Sequence, residues 1–434
     1  MNAGKALNKK VLIVSNNVLS YTRNNGKTIL SFIDGLDAGS ISQLYFNGEK
    51  PSVTGYSYYQ LSDRDVIKGV FDANKRGRFW NNFETDEKPV SKSGGSSKKR
   101  PSQFARLFRD LLWLGRWKSK KLFSWLDEKS PDVIFFVAGD SGFSYNIVKH
   151  IATRYKARLV TYITDDYIMP RSREKLIDKI RRCYIRRKML SCISTSDAYF
   201  TVSGIMQKEY AELTGKESKI IMNMTPPLLD ESLNTAYSDC ERRVMIYTGS
   251  LYYGRDGVLG RIAEAAEKYN LSCVEEKEKV EIKIYSNSTV TEEGKAVFER
   301  ECCRFCGSLN PTELKEAFNS ADVLLFVESF DPLMQEKTRY SLSTKVPEYM
   351  SVRKPIFAVG PSGIGSIDYL SDVAFCAFSE DEIEKVLFEM LASRERCEEL
   401  SFAAAEKYNK NHDTKKQKQL FFENCFGESF LGLR

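Results

Sequence analysis

Residues 243–259, RVMIYTGSLYYGRDGVL, open on a strand-sized apolar run, turn at Gly249 and enter a helix behind Arg255. Arg243–Tyr247 has the length of a strand buried on both faces of a parallel sheet, and Leu259–Tyr269 has helical spacing. Downstream the alternation continues, with strands over Val280–Tyr285, Ala321–Val327 and Pro355–Val359. Helices over Thr312–Asn319, Lys345–Ser351 and Ser379–Leu391 fall between and after them. Upstream the same pattern has already run once. Its strands are Lys10–Ser15, Asp132–Ala138, Arg158–Ile163 and Ala198–Val202, and its helices Thr28–Leu36 and Ser144–Tyr155. Such alternation is the α/β pattern. It breaks near Asn223–Arg242, where Pro226-Pro227 and polar residues interrupt the periodicity. The expectation is two doubly wound α/β halves, 1–225 and 243–412. Ligands belong at the carboxyl ends of the strands, and the cleft between the halves is the expected active site.

The chain has 434 residues, enough for two or three domains, and 42% are apolar, enough for ordinary cores. Lys and Arg number 65 against 58 Asp and Glu, a net charge of +7. No apolar run approaches the roughly 18–20 residues of a membrane span. The apolar stretch at Val11–Val14 is too short for a signal peptide. A cytoplasmic protein, at most peripheral on the inner face of a membrane, is expected. The ten Cys are expected to be thiols. Cys303 and Cys306 have CxxC spacing, but no second ligand pair accompanies them, so coincidence is the reading and no metal is expected. Only His150 and His412 are present, which weakens any Ser-His-Asp hydrolase. Glu84–Ser102 is low in complexity and reads as a mobile loop inside the first half.

Asn25-Gly26-Lys27-Thr28 looks like the end of a phosphate loop, but a Walker A motif needs glycine where Tyr21 stands. No GxGxxG follows the first strand, so a dinucleotide oxidoreductase is not expected. Gly26 is either part of an anion-binding helix start or a plain turn glycine. In the second half, Gly249, Ser250 and Arg255 repeat that device. A phosphate there would meet helix-terminal amides and a guanidinium; the bland alternative is an ordinary strand–helix loop. The most specific stretch is SLSTKVPEY, residues 341–349. Ser343 or Thr344 can cap a short helix whose amides face an anion. Glu348, one turn in, suits the two hydroxyls of a ribose.

The second half resembles the nucleotide-sugar domain of GT-B glycosyltransferases, particularly the large retaining group that builds bacterial surface polysaccharides such as capsule and lipopolysaccharide. The resemblance rests on IYTGSLYYGRDGVL (246–259), RFCGSLNPTELKEAFNSADVLLF (304–326) and STKVPEYMSVRKPIFAVGP (343–361). KVLIVSNN with NNGKT, YITDDY (162–167) and SDAYFTVSGIMQKEY (196–210) extend it to the first half, leaving only 37–131 uncovered. It implies two Rossmann-like domains facing across a cleft, with a last helix, 413–434, packing back on the first. It further implies that Gly249, Ser250 and Arg255 face the donor diphosphate and that Phe305, Cys306 and Leu309 meet the base. Leu342, Ser343 and Thr344 would meet phosphate oxygens, with Lys345 beside them; Glu348 would hold the ribose, and Gly26 would close over the donor. The group needs no metal or other cofactor. Its first conserved-pattern Glu, by the donor sugar, falls here on Tyr340; Glu328, Asp331 and Glu336 are near in sequence but not at its spacing.

Asp140 and Asp166 follow strand ends and are the candidate catalytic carboxylates; the alternative is loop or capping Asp. Lys98–Lys121 carries nine Lys and Arg against one Asp, a net +8, with Leu107, Phe108, Leu111, Leu112, Leu114, Trp113 and Trp117. It reads as a basic amphipathic helix for an anionic membrane, with both Trp at headgroup level, or as a core helix with a solvated basic face. Arg171–Lys188 is a second basic cluster, net +7. No signature of a nucleic-acid module accompanies either. The expected activity is transfer of a sugar from a nucleotide diphosphate sugar to a glycan or lipid-linked acceptor. A nucleotide-sugar epimerase of the same fold and a non-catalytic scaffold are the alternatives.

Overall fold

A computed structural model describes residues 9–21, 24–69, 76–81, 102–222, 224, 243–290 and 292–427. The chain divides into two units, Met1–Ile221 with Gln417–Arg434, and Met222–Lys416. The segment expected to separate the halves, 223–242, lies outside the described residues apart from Met224. So does the loop read at 84–102, apart from Ser102.

The first unit is built on β1 (Val11–Ser15), β2 (Ile41–Tyr45), β3 (Ser57–Gln60), β4 (Arg78–Trp80), β5 (Val133–Ala138), β6 (Arg158–Ile163), β7 (Ala198–Thr201) and β8 (Lys219–Ile220). They lie in the order β4-β3-β2-β1-β5-β6-β7-β8, and only the β3–β4 pair is antiparallel. Strands β1, β5 and β6 are apolar and buried nearly throughout, as central parallel strands must be. The order reverses direction between β1 and β5, so their carboxyl ends flank a crevice. Helix Thr414–Phe426 belongs to this unit from Gln417 onward. Its Phe421 ring stacks on Phe32 and meets Phe135 edge-on.

The second unit holds β9 (Arg243–Thr248), β10 (Val280–Tyr285), β11 (Cys303–Gly307), β12 (Val323–Val327), β13 (Ile356–Val359) and β14 (Phe375–Ala377). This sheet is wholly parallel, in the order β11-β10-β9-β12-β13-β14, with its reversal between β9 and β12. Its core joins Met245, Ile282, Leu325 and Phe357 of the strands to Leu259, Ile262 and Leu387 of the helices. Local signals start the helices. Asn310 caps helix Pro311–Ser320, Glu313 returns the bond, and proline takes the first helical position.

Lys98–Lys121 is not one amphipathic helix among its described residues. Helix Gln103–Leu112, capped by Ser102, ends at a turn through Gly115, and Lys120 opens helix Lys120–Lys129. Trp113 and Trp117, read as membrane anchors, are 0% and 4% exposed. The Trp113 ring stacks on Phe143, and its Nε1 donates to Asp63 at 2.7 Å. Both rings belong to the interior, so the anchoring role assigned to them is corrected. Among the described residues, no helix is long and apolar enough to cross a membrane.

Candidate functional site

Loops at the carboxyl ends of β9, β10, β12 and β13 converge at the reversal of the second sheet. Thr248 ends β9, and its N–H donates to the Tyr349 hydroxyl at 3.0 Å. That hydroxyl lies 3.3 Å from Thr248 O and 3.1 Å from its Oγ1. Burial pushes the Tyr349 phenol up to about 12, so it stays protonated. One side chain thus clasps the Gly249 turn to helix Lys345–Met350, about a hundred residues away in sequence.

The turn itself is held from two sides. The Tyr247 hydroxyl donates to Ser250 O at 2.7 Å, and Leu251 N–H donates to Ser288 Oγ, beyond β10, at 3.1 Å. Gly254 caps helix Arg255–Ser272 in the left-handed region, φ 75°, where a Cβ would lie 2.7 Å from Ser329 Oγ. Glycine is required there for both reasons. It lets the helix start sit against the loop after β12.

Arg255, the first residue of that helix, donates from Nη2 to Glu328 Oε1 at 2.8 Å. Glu328 follows β12 and is 3% exposed, with Thr338 as well as Arg255 beside its carboxyl. Burial pushes its carboxyl above the usual range, with Arg255 and the Thr338 hydroxyl pulling the other way. A guanidinium and a buried carboxylate therefore face each other across the switch point, where α/β sheets bind ligands. Position after a strand end was the signal that could have singled out Glu328; its pairing with Arg255 had none.

Ser343 and Lys345 lie at the start of helix Lys345–Met350. Lys345 N–H donates to Ser343 Oγ at 3.3 Å, Ser343 N–H donates to Ser366 Oγ, and exposed Thr344 holds the cap position without a side-chain bond. Lys345 Nζ donates to Glu348 Oε2 at 2.7 Å. Leu342 is buried. Tyr340, where the resemblance expects a carboxylate, is 5% exposed, with Arg339 over its ring. Asp331 is engaged in capping helix Pro332–Thr338.

Phe305 and Cys306 lie on β11, and half-buried Leu309 follows it. Phe305 packs on Phe298, centroids 5.0 Å apart. Cys303 is buried at the start of β11, and Cys306 sits at an irregularity of that strand, where the register with β10 shifts. Burial pushes both thiols up, and all described cysteines are free.

In the first unit, Asp140 follows β5 at the β1–β5 reversal. It pairs with Arg106 and lines a cavity of about 220 Å³ with Asp63, Arg109 and Arg181. Asp166 is committed to its loop. It accepts the N–H groups of Ile168 and Met169 at 3.1 Å each and the Tyr210 hydroxyl at 3.2 Å. Gly26 lies in the first turn of helix Asn24–Ile33, where a Cβ would meet Val18 O at 2.5 Å. Close backbone approach requires glycine there. The structure thus gathers Gly249, Ser250, Arg255, Leu342, Ser343, Thr344, Lys345 and Glu348 around one end of the second sheet, with Phe305, Cys306 and Leu309 at its β11 edge.

No family model matches the chain, and no curated protein does. Solved structures do. Anabaena HepE in complex with UDP superposes with a TM-score of 0.62 at 10% identity, over 96% of this chain and 100% of that one. The α,α-trehalose-phosphate synthase (UDP-forming) of Burkholderia vietnamiensis gives 0.59 at 12% identity, over 97% and 100%. Sucrose-phosphate synthase of Thermosynechococcus elongatus gives 0.58 at 9%, over 94% and 96%. The class these likenesses define is one of fold: two Rossmann-like domains of the GT-B kind.

Proposed function

We propose that the chain is a glycosyltransferase that moves a sugar from a nucleotide diphosphate sugar to a glycan or lipid-linked acceptor. The observation that carries this reading is the convergence of Arg255, the Gly249–Ser250 turn and helix Lys345–Met350 at the reversal of the second sheet. Two of the superposing enzymes, HepE and a trehalose-phosphate synthase, have names or contents that involve UDP, which supports a nucleotide-linked donor.

Charge builds on the departing diphosphate as the sugar leaves. Arg255, Lys345 and the first amides of helix Arg255–Ser272 are the groups that stabilise it in this reading, without a metal or other cofactor. Arg255 turns from Glu328 to the phosphates, and Glu348 turns from Lys345 to the ribose hydroxyls. Phe305, Cys306 and Leu309 take the base, and Ser343 and Thr344 offer backbone to the phosphates. Retention of configuration rests on the resemblance alone; in a retaining enzyme the leaving phosphate can itself take the acceptor's proton, so a side-chain base is optional. Asp140, among three arginines, orients the acceptor; Asp166 keeps the neighbouring loop in shape. A lipid-linked acceptor makes the enzyme a peripheral protein of the cytoplasmic face, in surface polysaccharide synthesis.

The burial of Tyr340 favours a second reading, a scaffold that binds donor without turning it over. Release of nucleoside diphosphate from UDP-, GDP-, ADP- and CMP-linked sugars separates the two. Turnover of one donor, lost in Arg255→Ala, supports the transferase; binding without release under any acceptor supports the scaffold.

A further inference from the structure

Helix Gln103–Leu112 turns polar groups inward, beside half-buried Leu107 and Leu112: Asp110 is buried, accepts Arg181 Nη1 at 2.5 Å and takes the Phe143 N–H at 3.1 Å. Arg109 donates to Asp63 at 2.7 Å, and Arg106 pairs with Asp140. Its outward side is apolar. Phe104, Phe108 and Leu111, at i, i+4 and i+7, are 71%, 59% and 60% exposed, and Leu114 just beyond is 63% exposed. Apolar stripes on helices normally face a core, and contiguous exposed ones mark a surface that something covers.

Helix Leu176–Thr195 packs on the first through the Arg181–Asp110 pair; it buries Ile185, Met189 and Ile193, but in its first turns Leu176 and Ile180, at i and i+4, are exposed. Cations flank both rows in sequence. Arg116, Lys118 and Lys120 follow the first helix, and Arg173, Lys175 and Lys179 lie before and along the first turns of the second. All six are exposed, and none makes an ion pair with a described carboxylate.

We propose that these two helices form the docking surface of the protein for an anionic lipid bilayer. The surface gives a place to the lipid-linked acceptor and rests on that reading for its role. Phe104, Phe108, Leu111 and Leu114 enter the boundary between headgroups and acyl chains, and the cations meet the lipid phosphates. Apolar side chains alone would suit a second protein equally. Six exposed cations next to them in sequence, none ion-paired among the described residues, favour a surface of fixed negative charge, within a Debye length.

The test is co-sedimentation of the full chain with vesicles of phosphatidylcholine, with and without phosphatidylglycerol, at low and high salt. The wild type is expected to sediment only with phosphatidylglycerol and to be released by salt. Phe108→Glu with Leu111→Glu is expected to lower partitioning about tenfold or more. Leu271→Glu, at an exposed apolar residue of the second unit, is the control and is expected to behave as wild type. Equal melting temperatures check that the variants fold. Three results overturn the proposal: no sedimentation of wild type at low salt, unchanged partitioning of the double variant, or a loss confined to self-association in light scattering. Donor-induced stabilisation, measured in the same samples, keeps this outcome separate. A chain that binds vesicles but no nucleotide sugar refutes the transferase reading and leaves the docking surface standing.

Discussion

Arg255 Nη2 and Glu328 Oε1 lie 2.8 Å apart and join the start of helix Arg255–Ser272 to the end of β12. The pair is asymmetric. Arg255 keeps access to solvent, whereas Glu328 is buried. Burying an ion costs free energy that its partners offset only in part, as the raised Glu328 carboxyl shows. The arrangement suits an arginine that exchanges its carboxylate for a phosphate.

Glu328 should therefore cost stability as pH rises. Its folded carboxyl titrates above the ordinary range, chiefly through burial. Between the ordinary value of about 4.5 and that higher one, the folded chain holds a proton the unfolded chain has released, so stability falls through this window. Glu328→Gln does not titrate. Urea melts should show the stability difference moving in the variant's favour from about pH 4.5 upward and then levelling. A flat difference, or one of opposite sign, removes the inference.

Arg255→Ala should weaken a nucleoside diphosphate by about 1.5–3 kcal/mol, the worth of hydrogen bonds to a charged group. The matching nucleoside should lose little. Calorimetry with both ligands decides; equal losses mean that Arg255 does not touch phosphate.

Glu348→Ala should cost donor affinity on a similar scale, about 1.5–3 kcal/mol, with circular dichroism unchanged. Its present partner is Lys345 at 2.7 Å, so the variant also frees a cation beside the phosphates. Loss of affinity for the nucleoside as well as the diphosphate is the expected mark of a ribose contact. Unchanged nucleoside affinity places Glu348 elsewhere.

Tyr349→Phe removes the clasp on Thr248 and orphans a buried N–H. A stability loss of about 1–3 kcal/mol is expected, the cost of an unsatisfied buried group. Donor affinity should fall with it, because the Gly249 turn and helix Lys345–Met350 are no longer tied. Full stability in urea melts would show that the clasp is redundant.

The central strands could be read because they are unbroken apolar runs, such as VIFFVA in β5 and VLLFV in β12. The stretch 37–131 could not. Strand β2, ISQLY, buries Ser42 and Gln43, and Gln43 is satisfied by Ser15 Oγ at 2.8 Å and Asn17 O at 3.0 Å. A strand made buriable by partners nearly thirty residues away leaves no periodic trace. Helix Gln103–Leu112 failed differently: its apolar stripe was visible, but its orientation depends on Asp110 meeting Arg181 and Trp113 meeting Phe143. At the candidate site, residues within short motifs were legible, while Arg255–Glu328 and Thr248–Tyr349 are long-range pairs that spacing cannot show.

A thermal-shift panel of UDP-, GDP-, ADP- and CMP-linked sugars tests the donor site most directly. A ligand at 100 times its Kd adds about 2.7 kcal/mol to the stability of a chain that binds it only when folded. The account predicts that at least one nucleotide diphosphate sugar raises the melting temperature of the wild type and not of Arg255→Ala. No shift with any donor, or an equal shift in both proteins, would contradict it.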